Sequence, residues 1–239
     1  MEIRAQNDLA ILGDPASENW ILQLADERDA EFLREEAEAL EALGYCGSYC
    51  LAAVSVKDWN RDLTPWGAPP VFGKIPFGDG AKETLQYLTE DIVPCLNRRY
   101  PVSNRKLFLA GYSLAGLFAL WAGYESGLFC GIAAVSPSVW YPGWKEYAAA
   151  HEMRAKRVYL SLGDREEKTK NAMMATVGDA IRFQAGILRN SGVETVLEWN
   201  PGNHFADSAK RTAKGVFYLL SGDLRSRSFQ PAPDRREKA

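Results

Sequence analysis

One short stretch of the sequence, LFLAGYSLAG at residues 107–116, combines the residue types that can present a serine as a nucleophile. Four apolar residues precede Gly-Tyr-Ser-Leu-Ala-Gly, and a helical segment, LFALWAGY, follows. Strand, sharp turn and helix in that order expose a serine hydroxyl at the edge of a sheet. Because backbones crowd at such a turn, the residues two before and two after Ser113 must be small, and here they are Gly111 and Ala115. The usual pattern is Gly-x-Ser-x-Gly, and Ala115 occupies the position of its second glycine.

The same glycines do not fit the other glycine-rich motifs. A phosphate-binding loop would need a following Lys-Ser or Lys-Thr, and a dinucleotide site would need Gly-x-Gly-x-x-Gly. The stretch contains neither pattern. A nucleophilic serine is therefore the chemistry that this stretch favours.

A serine hydroxyl attacks efficiently when a base accepts its proton, and histidine is the usual base. The chain has two histidines, His151 and His204. His204 lies in WNPGNHFAD, after the last predicted strand and before the last predicted helix, and Gly202 and Asn203 favour a turn there. His151 lies in a polar helical segment ahead of every candidate acid, so we predict that His204 is the base.

The third member of such a site is an acid that orients the imidazole and stabilises its charged form. We expect it where the predicted strand RVYLSLG ends, and there the sequence continues DREEK. Hydrolases commonly carry the acid three residues after the closing glycine, which selects Glu166. Asp164 is the second choice, and Glu167 the third. At least one of these acids is expected to be a solvated charge of the turn. The candidate triad is thus Ser113, Glu166 and His204.

The elements that must position these residues alternate between strands and helices. Apolar runs predict strands at residues 20–25, 49–56, 106–110, 131–136, 157–163 and 193–199. Amphipathic segments lie between them, and Pro94 is expected to bend or end the second predicted helix. This alternation predicts an α/β fold with a mostly parallel central sheet and helices on both faces.

Composition and charge restrict the partners of the protein. The chain carries 28 basic and 31 acidic residues, so its field favours neither nucleic acid nor an anionic membrane. Apolar runs are too short to span a membrane, and the N-terminus lacks a secretory leader pattern, so we expect a cytoplasmic protein. Four cysteines fit a reducing compartment, and two histidines make a zinc site unexpected. We predict a single domain over 1–222 and a disordered polar tail at 223–239.

Further stretches resemble the putative esterase family of α/β-hydrolases, which includes esterase D-type enzymes and enterobactin-type siderophore esterases. RDLTP at 61–65 is similar to the family's Arg-x-Asp-Leu-Thr-Pro, without the intervening residue. FGDGAKETLQYLTEDIVPCL resembles its Phe-Gly-Gly-Gly-Ala segment and following helix, with Asp79 replacing one glycine. SPSVWY at 136–141 resembles Ser-Pro-Ser-x-Trp, and LGDRE and GNHF are similar to its Gly-x-x-Glu and Gly-x-His. The order and spacing of these stretches over residues 20–220 make the resemblance specific.

The resemblance implies a compact α/β-hydrolase without a large lid that cleaves carboxylic or thiol esters and needs no metal or cofactor. The backbone N–H of Leu114, directly after the serine, would bind the oxyanion. A second N–H would come from the loop after YCLAAVSV, from Trp59 or alternatively from Asn60. The substrate would be a small-molecule ester, and siderophore, aryl, short acyl and thiol esters all remain open.

Aromatic loop residues could bind such a substrate at the carboxyl edge of the sheet, where open α/β folds hold ligands. The tryptophans in these loops are Trp59, Trp66, Trp140 and Trp144. They either contact an apolar substrate group or close a small core over the loops. The Ser-Pro-Ser-x-Trp resemblance assigns Trp140 to substrate binding. Arg61 could hold an anionic substrate group or could pair with Asp58 or Asp62.

Two other functions would use the same residues. Acyl transfer to an acceptor other than water passes through the same acyl-enzyme as hydrolysis. A non-catalytic binding module with a vestigial serine would also explain Ala115 and the choice among three acids.

Overall fold

The computed structural model of the chain describes residues 4–6, 9–26, 30–71 and 73–222. The tail predicted at 223–239 lies outside the described residues. None of the helices in the described part of the chain has the length and apolarity needed to cross a bilayer.

The described residues form one eight-stranded sheet. Its strands are β1 Arg4–Gln6, β2 Leu9–Gly13, β3 Asn19–Ala25, β4 Cys50–Ser55, β5 Lys106–Tyr112, β6 Gly131–Val135, β7 Arg157–Gly163 and β8 Glu194–Asn200. Their order across the sheet is β1-β2-β4-β3-β5-β6-β7-β8. β1 and β2 pair antiparallel, as do β2 and β4, whereas every other pairing is parallel. The mostly parallel sheet is therefore as predicted, with two antiparallel strands added at one edge.

Helices cover both faces of this sheet, as predicted. They are α1 Ala30–Ala42, α2 Trp59–Asp62, α3 Ala81–Tyr87, α4 Val93–Arg99, α5 Leu114–Glu125, α6 Trp144–Ala150, α7 Val177–Asn190 and α8 Ser208–Leu220. α1 and α8 pack side by side on one face and enclose the smaller core cluster. The larger core cluster lies on the opposite face, beneath α3 to α7. Among the described residues, these connections include no separate lid domain.

Pro94 does not end its helix. α3 passes into a π-helical turn, Leu88–Ile92, which continues directly into α4 with Pro94 in its first turn. Proline lacks an N–H and its ring crowds the carbonyl four residues earlier, so a wider turn before it relieves the conflict. The chain therefore stays helical from Ala81 to Arg99.

α5 is the central helix behind the candidate nucleophile. Its residues from Leu114 to Tyr124 are all buried, so the helix is apolar on every side. Such a helix belongs inside a domain rather than on its surface. The turn that carries Ser113 is thus held between a buried strand, β5, and a buried helix.

Candidate active site

Ser113 occupies a strained turn between β5 and α5. Its φ and ψ are 60° and −120°, a conformation that side-chain-bearing residues rarely adopt. A Cβ added to Gly111 would lie 2.2 Å from the carbonyl oxygen of Ala115, so glycine is required there. Ala115 itself fits, and the departure from the usual glycine leaves the turn intact. The backbone holds the hydroxyl at the carboxyl edge of the sheet.

The structure brings His204 to Ser113. The imidazole Nε2 lies 3.0 Å from Ser113 Oγ, and Nδ1 lies 2.7 Å from Glu166 Oε2. His204 belongs to the loop between β8 and α8. Tyr112 supports this loop by donating its hydroxyl hydrogen to the carbonyl oxygen of His204. His151, in contrast, lies on the surface, where it stacks on Tyr147.

The geometry separates the three candidate acids. Glu166 alone contacts His204, and its carboxylate is nearly sealed from solvent, with 4% of the side chain exposed. Asp164 accepts a hydrogen bond from the backbone N–H of Gly202, 2.9 Å away, and so fixes the loop before the histidine. Glu167 lies 3.6 Å from a guanidinium nitrogen of Arg182, which pairs it with α7.

The second carboxylate oxygen of Glu166 has three donors of its own. The backbone N–H of Gly163 donates to Oε1 at 2.6 Å, the hydroxyl of Ser136 at 2.7 Å, and Nη1 of Arg211 at 3.2 Å. With His204 on Oε2, the carboxylate has four polar neighbours from four parts of the chain. These contacts hold the carboxylate in one orientation, with Oε2 directed at His204.

Ser136 and Arg211 are site residues that the sequence analysis missed. Ser136 opens the Ser-Pro-Ser stretch at a φ of 44°, a left-handed value that is uncommon for serine. This stretch and the residue before it hold the backbone of Ser113 through two hydrogen bonds. Ser113 N donates to Val135 O, and Ser138 N donates to Ser113 O, each at 3.1 Å. The signal was present in the Ser-Pro-Ser resemblance, which had directed attention to Trp140 instead.

A cleft of about 440 Å³ opens beside the triad. Its walls come from the ends of β3 and β5, the start of α1, and the region from His204 into α8. The lining residues are Gln23, Leu24, Ala25, Asp26, Phe32, Leu33, Trp59, Gly111, Tyr112, Ser113, His204, Phe205, Ser208 and Thr212. Most of this lining is apolar or aromatic, and Phe205 is 87% exposed at its edge.

The two predicted oxyanion donors, the backbone N–H groups of Leu114 and Trp59, follow different strands of the sheet. Leu114 begins α5, and the first N–H groups of a helix have no intrahelical acceptor, so its N–H is available beside Ser113. Trp59 lines the cleft, but the strand before it is β4, which is separated from β5 by β3. The sequence analysis placed the second donor in the loop after that strand. β3 is the direct neighbour of β5, and its continuation, Asp26, also lines the cleft.

The two predicted substrate-binding residues do not line this cleft. Trp140 is buried and packs against Phe77 and Tyr141, with ring centroids 6.1 and 6.4 Å apart. The turn after β6 directs its side chain into the core, and its assignment to the substrate stays a prediction. Arg61 lies outside the lining and pairs with Asp62 at 3.2 Å, which is the alternative that the sequence left open.

The remaining loop tryptophans also close the core. Trp66 donates its indole N–H to Pro142 O at 2.8 Å, and Trp144, which is 1% exposed, donates to Gln184 at 3.0 Å. Both belong to or pack against the larger core cluster. Of the four tryptophans, Trp59 is the one that reaches the cleft.

A second buried carboxyl group lies next to the cleft lining. Glu36 on α1 is completely buried, and Nε2 of Gln23 donates to its two oxygens at 2.7 and 2.9 Å. Burial raises the pKa of Glu36 to about 8, although the hydrogen bond from Gln23 opposes that shift. Glu36 therefore favours its neutral form over most of the physiological range.

The His, Cys, Asp and Glu side chains in the described part of the chain include no group of three or more arranged to hold a metal ion. The arrangement around Ser113 suits proton transfer and nucleophilic attack.

Comparisons with known proteins agree with this architecture. The IroE-like serine hydrolase from Shewanella oneidensis superposes with a TM-score of 0.72 at 18% identity, covering 89% of this chain and 75% of that chain. Siderophore hydrolase EstB from Aspergillus nidulans gives 0.72 at 20% identity, covering 91% and 93%. The enterobactin esterase FES from Shigella flexneri gives 0.65 at 17% identity, covering 89% of this chain and 55% of that one. These similarities establish the α/β-hydrolase fold.

Sequence comparison is informative at the level of the family. No curated protein sequence matches the chain significantly. The family model described as putative esterase, however, matches residues 48–223, well over half of the chain. The chain therefore belongs to the putative esterase family.

Proposed function

We propose that this protein is a serine hydrolase that cleaves a carboxylic or thiol ester through an acyl-enzyme on Ser113. The observation that carries the proposal is the continuous hydrogen-bonded series Ser113–His204–Glu166 opening onto one cleft. Membership of the putative esterase family supports ester hydrolysis in general. The geometry of the triad suggests the mechanism by which the reaction would proceed.

His204 Nε2 accepts the hydroxyl proton while Ser113 Oγ attacks the ester carbonyl carbon. Glu166 holds Nδ1 and stabilises the imidazolium. Collapse of the tetrahedral intermediate breaks the bond to the alcohol or thiol, and His204 returns the proton to that leaving group. Water then attacks the acyl-enzyme with His204 as base, and the carboxylic acid leaves as Ser113 regains its proton.

The negative oxygen of each intermediate needs two donors close to Ser113. The N–H of Leu114 at the start of α5 is one. We assign the second to Asp26, the residue that follows β3, because β3 lies directly beside β5. Trp59, one strand further away, becomes a wall of the cleft and the alternative donor.

The cleft lining suggests the substrate class. An apolar and aromatic pocket of this size accommodates a small aryl or acyl group. Solved structures of similar fold include a siderophore hydrolase and an enterobactin esterase, whose names indicate small-molecule ester substrates. We propose a small-molecule ester with an apolar or aromatic group that lies against Phe205 and Tyr112. The cysteines are free thiols, which favours a reducing compartment such as the cytoplasm.

The test is hydrolysis of a p-nitrophenyl ester series by the wild type and by Ser113→Ala. We expect the variant to lose at least about a thousandfold in kcat, because the nucleophile is gone. Ser126→Ala is the matched control: its hydroxyl lies at the far end of α5, about 20 Å away, and turnover should stay within about twofold. Unchanged turnover in Ser113→Ala would contradict the proposal.

A fluorophosphonate probe separates the remaining functions. Such a probe labels a serine that a neighbouring base activates. Labelling of the wild type but not of Ser113→Ala supports the triad even for a narrow ester specificity. A non-catalytic binding module would remain unlabelled.

A further inference from the structure

One cation lies in the interior of this protein beside the triad. Arg211, on the first turn of α8, is 2% exposed. Its neighbour Lys210 on the same helix has a side chain that is 74% exposed. Removing a guanidinium from water is costly, so a buried arginine needs compensating partners.

The partners of Arg211 belong to the two loops that carry the acid and the histidine. Nη1 lies 3.2 Å from Glu166 Oε1, and Nη2 donates to the carbonyl oxygen of Pro201 at 2.7 Å. Pro201 opens the loop that reaches His204. Nη1 also lies 3.4 Å from the hydroxyl of Tyr112, which in turn donates to the carbonyl oxygen of His204. One planar side chain therefore bridges both loops.

We propose that Arg211 is a positioning residue that acts on the reaction through Glu166. This inference rests on the proposed function of the triad. Arg211 supplies the positive charge for a buried carboxylate and occupies Oε1, so that Oε2 remains directed at His204 Nδ1. Its second nitrogen sets the start of the histidine loop relative to that carboxylate.

A second ion pair on the same helix, between the partly exposed Lys214 and the buried Glu198, shows what a purely structural pair looks like. Lys214, one turn further along α8, lies 2.5 Å from Glu198 and 2.7 Å from Asn200 Oδ1. Glu198 and Asn200 belong to β8 and have no contact with the triad side chains among the described hydrogen bonds. Lys214 is thus a control for loss of a cation paired to a buried carboxylate without loss of a triad partner.

Loss of Arg211 has a specific kinetic consequence if it acts through Glu166. The carboxylate would lose its charge partner, and the orientation of the imidazole would be less well defined. Proton transfer would slow, whereas substrate binding would not change, because Arg211 does not line the cleft. The effect should therefore appear in kcat, and it should vanish when Glu166 has already been replaced.

The experiment is a double-mutant cycle with Arg211→Met and Glu166→Gln, measured as kcat and KM for p-nitrophenyl acetate. Arg211→Met alone should lower kcat roughly 10- to 100-fold, as expected for a lost charge-assisted hydrogen bond, with KM within about twofold. In the Glu166→Gln background the same substitution should cost less than about threefold. Lys214→Met should leave kcat within about twofold.

Arg211→Lys provides a conservative comparison. It keeps the charge, but an ammonium group cannot donate in plane to both Glu166 and Pro201. We expect it to recover part of the activity, to within about tenfold of the wild type. If Arg211→Met does not fold, the cycle is run with Arg211→Lys, and the same non-additivity is expected.

The outcomes distinguish this inference from the proposed function. Unchanged kcat in Glu166→Gln alone would contradict the triad and, with it, the inference. A large loss in Glu166→Gln with none in Arg211→Met would overturn the inference and leave the proposed function standing. A loss that appears in KM, or that adds in full to that of Glu166→Gln, would also overturn it. Loss in kcat that disappears in the Glu166→Gln background supports it.

Discussion

Glu166 and Glu36 are both buried carboxyl groups, and their surroundings differ sharply. Glu166 is contacted by a backbone N–H, a hydroxyl, a guanidinium and an imidazole. Glu36 is completely buried, and its carboxyl group accepts hydrogen bonds from a neutral amide, that of Gln23. Burial raises the pKa of Glu36 to about 8.

The difference teaches that burial alone does not make a carboxyl group useful for catalysis. Desolvation favours the neutral acid, which cannot stabilise an imidazolium. Glu166 differs from Glu36 because donors from four separate elements converge on it, and one of them, Arg211, carries a full positive charge. The site is thus defined by the partners of the carboxylate rather than by its depth.

Replacing each carboxyl by an amide gives the sharpest form of the comparison. We expect Glu166→Gln to lower kcat by roughly 10³- to 10⁴-fold, because an amide cannot stabilise the charged imidazole. Glu36→Gln should leave kcat within about threefold, since Glu36 contacts neither Ser113 nor His204 in the described network. The measurement is kcat for p-nitrophenyl acetate, with circular dichroism to verify folding. Equal losses in both variants would abolish the distinction.

The pH dependence of the free energy of unfolding should reveal the raised pKa of Glu36. Its pKa in the folded state, about 8, exceeds the unfolded value of 4.5, so the folded state binds the proton more tightly. The resulting stabilisation is complete below about pH 4.5 and is lost as pH rises towards 8, at about 1.4 kcal/mol per pH unit. Glu36→Gln has no such proton to lose.

Urea unfolding at several pH values between 5 and 8 tests this expectation. The free energy of unfolding of the wild type should fall relative to that of Glu36→Gln as the pH rises, because other titrating groups are common to both proteins. Parallel curves for the two proteins would show that Glu36 is ionised in the folded state, and the contrast with Glu166 would disappear.

The smallest expected effect concerns a neutral donor to Glu166. Ser136→Ala removes the hydroxyl that lies 2.7 Å from Oε1 and leaves Arg211, Gly163 and His204 in place. A neutral hydrogen bond contributes about 1 kcal/mol, so kcat should fall roughly 3- to 10-fold with KM unchanged. A loss as large as that of Glu166→Gln would mean that the hydroxyl, and not the cation, determines the state of the carboxylate.

Much of this arrangement could be predicted from local sequence patterns. The six central strands are apolar runs separated by helical segments, and the serine, acid and histidine follow strands in a fixed order. β1 and β2 could not be predicted in this way, since they are short, antiparallel and unaccompanied by a helix. Alternation of strands and helices detects parallel units only.

Local sequence patterns could not predict the residues that support the site, for a different reason. Arg211 lies in an amphipathic helix, where a charged residue is ordinarily assigned to the exposed face. Its burial results from contacts with Glu166, which is 45 positions earlier in the chain. Trp140 is the opposite case: the Ser-Pro-Ser-x-Trp resemblance suggested contact with the substrate, whereas the structure buries its side chain in the core.

Backbone conformation around the triad sets a limit on how heat-resistant this protein can become. Of the four non-glycine residues with positive φ in the described chain, Ser113, Ser136 and Asp207 lie at the triad or at the helix that follows it. Such conformations cost of order 1–3 kcal/mol each and persist because the surrounding fold enforces them. Selection for thermal tolerance alone would favour relaxing these residues, and turnover would decline as the melting temperature rose.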